Sequence, residues 1–65
     1  MAKKITKLPE SVQVDGETYQ LYTAIKLKKI ADETKKDLKD HVQKIHMETY
    51  ERQGETIYAI YTIRN

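Results

Sequence analysis

A chain of 65 residues that is 38% apolar can form one small domain, and the absence of cysteine excludes a disulfide or a cysteine-based zinc site. The net charge is +2, and no apolar stretch has the length of a transmembrane helix or a signal peptide, so we predict a cytoplasmic protein without a membrane contact. A core this small is commonly stabilised by association, which predicts a homodimer.

The chain begins with a basic segment. Residues 1–10 carry Lys3, Lys4 and Lys7 and run to Pro9, and they are predicted to form a flexible basic arm. Residues 11–65 are predicted to form a single small α+β domain.

The domain is predicted to open with a β-hairpin. Asp15-Gly16 is a strong signal for a two-residue hairpin turn, and residues alternate in polarity on both sides of it. Pairing across the turn gives an apolar face of Val12, Val14, Tyr19 and Leu21. The opposite, polar face comprises Ser11, Gln13, Thr18, Gln20 and Tyr22.

A helical pattern follows the hairpin. From Ala24, apolar residues recur every three or four positions. One interpretation has two short helices, with a turn at residues 34–36 and Asp37 as the N-cap of the second helix. The other has a single long helix over residues 24–46 and a second hairpin that turns at Gln53-Gly54, which gives the order ββαββ.

The C-terminal segment "ETIYAIYTIR" is predicted to be a strand because Tyr, Ile and Thr dominate it. Both of its faces are largely apolar. Such a strand requires cover on both sides, which we expect from the helices of the chain and from a partner subunit.

The segment "LKKIADETKKDLKDHVQKIHMETYERQG" resembles the two-helix part of ribbon-helix-helix proteins such as the Arc repressor. The similarity covers residues 24–54, and it is carried by Leu27, Ile30, Ala31, Asp32, Glu33, Asp37, Val42, Met47, Glu48, Tyr50 and Gly54. The resemblance implies a dimeric DNA-binding protein that regulates transcription. The small size and many lysines fit a phage or plasmid accessory protein.

DNA is therefore the first predicted partner. A two-stranded ribbon fits the major groove, so the predicted base-reading residues are those on its polar face: Thr18, Gln20 and Tyr22. The predicted phosphate-binding residues are Lys26, Lys28, Lys29, Lys35 and Lys36. Solvated lysines and a polar strand face would give the same pattern in a protein that does not bind DNA.

No catalytic residue, metal ligand or cofactor is predicted, and we do not expect an enzyme. His41 and His46 are five residues apart and would lie on different sides of a helix. The alternative function is a small protein-interaction module, an inhibitor or adaptor, that pairs with a protein partner through its C-terminal strand.

Overall fold

The computed structural model describes residues 3–64, which form a curled five-stranded mixed sheet and one α-helix. The elements in chain order are β1 (Lys3–Lys4), β2 (Ser11–Val14), β3 (Glu17–Ile25), α1 (Lys28–Leu38), β4 (Lys44–Arg52) and β5 (Glu55–Ile63). The strand order in the sheet is β1-β4-β5-β3-β2. β1 is parallel to β4, and all other neighbours are antiparallel.

The predicted hairpin at Asp15-Gly16 is confirmed. Both turn residues have positive φ, 52° and 81°, as a type I′ turn requires. The predicted register is confirmed in three opposed pairs: Val12 with Tyr19, Gln13 with Thr18, and Val14 with Glu17.

A β-bulge at Tyr22 changes the direction of the side chains along β3. Leu21 lies opposite Tyr61, whereas Thr23 lies opposite Ile60, so β3 has one residue more than β5 at this point. Before the bulge, odd-numbered residues of β3 lie on the same face as Tyr61; after it, they lie on the same face as Ile60. The bulge therefore lets one strand contribute apolar residues to both sides of the sheet.

One side of the sheet, here called the tyrosine face, has a core of Tyr19, Tyr50, Ala59 and Tyr61. Ile5 and Leu8 of the N-terminal segment pack against this core. The Tyr61 hydroxyl donates a hydrogen bond of 2.8 Å to the carbonyl oxygen of Pro9. Over its described residues, the segment for which a flexible arm was expected is therefore attached to the sheet, because it covers apolar surface on this face.

The other side of the sheet, here called the helix face, packs against α1 through Ala31, Leu38 and Ile60. The helix begins after Leu27, which has no polar side chain to act as an N-cap, and its first turn carries two lysines rather than acids. Eleven residues are also fewer than an isolated helix needs for stability in water. The helix therefore depends on its packing against the sheet.

The predicted fold class is wrong, because a second helix does not follow α1. Thr34 lies inside α1, where its hydroxyl donates to the carbonyl of Ile30 (2.9 Å), and Asp37 also lies in the helix. The turn follows Leu38 instead, whose carbonyl accepts from the N–H groups of His41 and Val42. Residues 44–52 are strand β4, so the two-helix fold implied by the ribbon-helix-helix resemblance is not formed.

The alternative with a single long helix over residues 24–46 is also wrong, because the helix is much shorter than predicted. The elements from β2 to β5 do follow the order ββαββ, but α1 ends at Leu38 and β4 begins at Lys44. The turn predicted at Gln53-Gly54 is confirmed, with φ values of 52° and 78°. β4 forms because all nine of its residues pair with the Tyr- and Ile-rich β5.

β5 occupies the centre of the sheet. It is hydrogen-bonded to β4 on one edge and to β3 on the other. The chain itself supplies cover for both faces of this strand, including the cover that we expected from a partner. Among residues 3–64, no helix has the length and apolarity needed to cross a membrane.

Candidate functional site

The helix covers only part of the helix face. α1 has 11 residues and β3 has nine, which correspond to about 16 Å of helix and about 30 Å of strand. The uncovered part lies beyond the C-terminal end of α1. It contains a cavity of about 210 Å³ that is lined by Thr18, Gln20, Leu21, Tyr22, Thr62, Ile63 and Arg64.

A second cavity extends this surface to the end of the helix. It is lined by Leu38, His41 and Val42 together with Tyr22 and Arg64, which also line the first cavity. The two cavities are adjacent because they share these two residues, and together they are here called the open groove. Its polar side chains come from β3, from the loop after α1 and from the end of β5.

The three predicted base-reading residues lie together in the open groove. Gln20 is opposite Thr62 in the β3–β5 pairing, and Thr18 and Gln20 are both exposed. Tyr22, the bulged residue, is 48% exposed. The structure thus brings together an exposed aromatic ring and two side chains that can both donate and accept hydrogen bonds.

The five predicted phosphate-binding lysines are divided between the two ends of the helix. Lys35 and Lys36 lie in the last turn of α1, next to the open groove. Lys28 and Lys29 lie in the first turn, about 10 Å from Lys35 and Lys36 along the helix axis. These five residues therefore do not form one continuous basic surface.

Lys26 directly follows β3, at the end of the strand opposite to Thr18 and Gln20. Its Nζ is 2.7 Å from a carboxylate oxygen of Glu55. The hydrogen bond to Lys26 and its positive charge hold the pKa of Glu55 below its ordinary value. Both side chains are exposed, so this ion pair marks a solvated surface.

Arg64 and His41 were not among the predicted site residues. Arg64 follows β5, and it reaches the open groove because β5 lies beside β3 in the sheet. His41 reaches the groove because the chain leaves α1 at Leu38. Neither position could be inferred while the residues that follow Asp37 were predicted to be helical.

A second polar cluster lies on the tyrosine face and joins β3 to β4. His46 Nε2 is 2.6 Å from a carboxylate oxygen of Glu48, and the ring of His46 lies against that of Tyr19 with a centroid distance of 5.7 Å. Nearby, the Lys44 ammonium forms an ion pair with Glu17, and this hydrogen bond raises the pKa of Lys44. These contacts connect two strands that are separated by β5, so we assign the cluster a structural role.

Within residues 3–64, no three or more histidine or carboxylate side chains are grouped so that they could hold a metal ion. The open groove carries the cation of Arg64, the imidazole of His41 and neutral polar groups, which suit the binding of an anionic or polar ligand. Comparisons of the chain with protein-family models, with curated proteins and with solved structures gave no match.

Proposed function

We propose that the protein binds nucleic acid through the open groove. The observation that carries the proposal is that Thr18, Gln20 and Tyr22 line one depression with Arg64. This combination supplies the three interactions that nucleic-acid surfaces use: stacking on an aromatic ring, hydrogen bonds to base edges, and a cation for the phosphates.

The basic end of the helix adjoins this surface and favours an anionic ligand. Lys35, Lys36 and Lys39 outnumber Asp37 and Asp40 in the last turn of α1 and the residues after it. A positive charge at this end also compensates the helix dipole. An anionic ligand that approaches the groove from the side of the helix therefore meets a net positive charge.

The shape of the site favours a single strand over a duplex. The polar face of the β2–β3 ribbon and α1 lie on the same side of the sheet, and Leu38 of α1 borders the groove. A helix with its side chains is about 10 Å thick. At the border of the groove, α1 therefore sterically blocks a duplex. A single strand can lie in the groove and stack one base on Tyr22.

Fluorescence anisotropy with a labelled single-stranded oligonucleotide of mixed sequence tests the proposal. Tyr22→Ala should weaken binding by about 1–3 kcal/mol, because it removes the stacking surface. Arg64→Gln should weaken binding and reduce the dependence of affinity on salt by about 0.7 in the log–log slope, which corresponds to one single-strand phosphate contact.

The chain offers a matched control for charge. Lys28→Gln removes one positive charge, as Arg64→Gln does, but at the end of α1 remote from the groove. It should leave the salt slope close to that of the unsubstituted protein. Equal effects of the two substitutions, or no binding at low salt, would refute the proposal; stronger binding of a duplex would overturn the single-strand assignment.

A further inference from the structure

The outer edge of β4 is largely unpaired. β1 pairs with β4 only at Tyr50 and Glu51. From Lys44 to Thr49, no strand within residues 3–64 lies on this side of β4. An unpaired strand edge presents backbone groups that can pair with another chain.

The backbone groups that point outwards can be assigned from one hydrogen bond. The N–H of Ile5 donates to the carbonyl of Glu51 at 2.9 Å, so the backbone groups of Glu51 face β1. Alternate residues of a strand direct these groups to the same edge. Ile45, Met47 and Thr49 therefore present their N–H and C=O groups to the open edge of β4.

The side chains along this edge are self-complementary in the antiparallel direction. In the segment Lys44–Glu48, His46 is at the centre. An apolar residue lies on each side of it, with a basic residue at one end and an acidic residue at the other. If the strand pairs with a copy of itself about His46, each basic residue meets an acidic one and each apolar residue meets an apolar one. Opposed charges and apolar pairs both stabilise cross-strand contacts.

We propose that the protein forms a homodimer in which β4 pairs antiparallel with β4 of a second copy, with the two-fold axis at His46. Ile45 then lies opposite the partner's Met47, and these residues exchange two backbone hydrogen bonds because their polar groups face outwards. The same exchange occurs on the other side of the axis. Lys44 lies opposite the partner's Glu48, and the two sheets join into one of ten strands.

The position of β1 is compatible with this pairing. In this register Thr49 lies opposite the partner's Gln43, and Tyr50, where β1 begins, lies beyond the paired segment. The Lys44–Glu17 ion pair of each copy would extend to the partner's Glu48 on the tyrosine face. Dimerisation through β4 does not depend on the proposed binding of nucleic acid.

Disulfide trapping tests the register directly, because the sequence has no native cysteine. In a non-hydrogen-bonded antiparallel pair the Cα atoms are about 4.5 Å apart, which a disulfide can span. Under mild oxidation, His46→Cys should give a covalent dimer. Met47→Cys is the matched control, since two such residues would be about 7 Å apart and offset along the strands. More cross-linking at position 47 than at 46 would overturn the proposed axis.

Charge exchange tests the interface without covalent bonds. Sedimentation of the unsubstituted protein at micromolar concentration should give twice the monomer mass of 7.7 kDa. Lys44→Glu and Glu48→Lys should each shift the protein to monomer, because like charges then face each other. A mixture of the two variants should recover the dimer, because each charge again meets its opposite.

Lys26→Glu controls for the change in net charge. It should leave the dimer unchanged, because Lys26 pairs with Glu55 at the Arg52 end of the sheet, away from the segment Lys44–Glu48 that pairs with the second copy. Circular dichroism of each variant establishes that it is folded. A monomeric unsubstituted protein, or two folded variants that stay monomeric when mixed, would refute the dimer.

Discussion

The two faces of the sheet are covered in different ways. On the tyrosine face, an extended N-terminal segment is fixed to β4 by β1 and to the core by the hydrogen bond from Tyr61 to Pro9. On the helix face, an uncapped helix covers only part of the strands and leaves the open groove. A 65-residue chain thus buries its central strand on both sides and still keeps a polar surface available for a ligand.

The covered part of the helix face should be the most sensitive to substitution. Ile60 is fully buried beneath α1. Ile60→Ala should lower the free energy of unfolding by about 2–5 kcal/mol, because it removes buried apolar surface and leaves a cavity. Urea denaturation measures this loss.

Gln20→Ala, in the open groove on the same side of the sheet, is the matched control. It should change stability by less than about 0.5 kcal/mol, because Gln20 is exposed. Equal losses at Ile60 and Gln20 would contradict the distinction between the covered and open parts of this face.

The tyrosine face should give the protein a dependence on alkaline pH. Burial, with a smaller contribution from the neighbouring Tyr50, raises the pKa of the Tyr61 phenol in the folded protein. The stabilisation is complete below the unfolded value of about 10 and is lost as the pH rises above it, because the unfolded chain then releases a proton that the folded chain retains. Stability should fall by up to about 1.4 kcal/mol per pH unit in this range.

Tyr61→Phe provides the comparison for this titration. Chemical denaturation across the alkaline range should show a shallower decline for this variant, because Phe cannot ionise. At neutral pH it should cost about 1 kcal/mol, the net value of one hydrogen bond. Parallel pH profiles for the two proteins would show that Tyr61 is not the group responsible.

The helix should respond to a better N-cap. Leu27 is 65% exposed and occupies the N-cap position in an extended conformation. Leu27→Ser should stabilise the protein by about 1 kcal/mol, because its hydroxyl can accept a hydrogen bond from a free N–H group of the first turn. Leu27→Ala lacks that hydroxyl and should give no such gain in the melting temperature.

The smallest predicted gain in stability lies in the turn between β4 and β5, which is part of neither core cluster. Gln53 has a φ of 52°, a conformation that Asn adopts more readily than Gln. Gln53→Asn should therefore raise the free energy of unfolding by about 0.5 kcal/mol, measured by urea denaturation. A loss of stability would show that the Gln53 side chain makes a contact that the turn geometry does not reveal.

The parts of the fold that could be predicted are those that local sequence determines. Asp15-Gly16 sets the turn, and the alternation on each side of it sets the register of β2 and β3. The grouping of Thr18, Gln20 and Tyr22 followed from the same alternation, since these three residues share the polar side of the ribbon. A period of two, combined with a turn that requires positive φ, leaves little freedom.

β4 could not be predicted in this way. Its sequence, "KIHMETYER", is rich in Lys, Glu, Met and Arg, which favour helices, and Val42 and Ile45 continue the spacing of the helical stripe. Pairing with β5 outweighs this local preference, because β5 needs a neighbour on each edge. The position of Arg64 in the groove depends on that pairing, so it was also missed.

The central claim, that nucleic acid binds the open groove, is tested most directly by an NMR titration of the labelled protein with a single-stranded oligonucleotide at low salt. We predict that the amide shifts of Thr18, Gln20, Tyr22 and Arg64 change together and saturate, while those of Val12 and Tyr50 on the tyrosine face stay constant. Shift changes confined to the tyrosine face, or no change at any residue, would contradict the account.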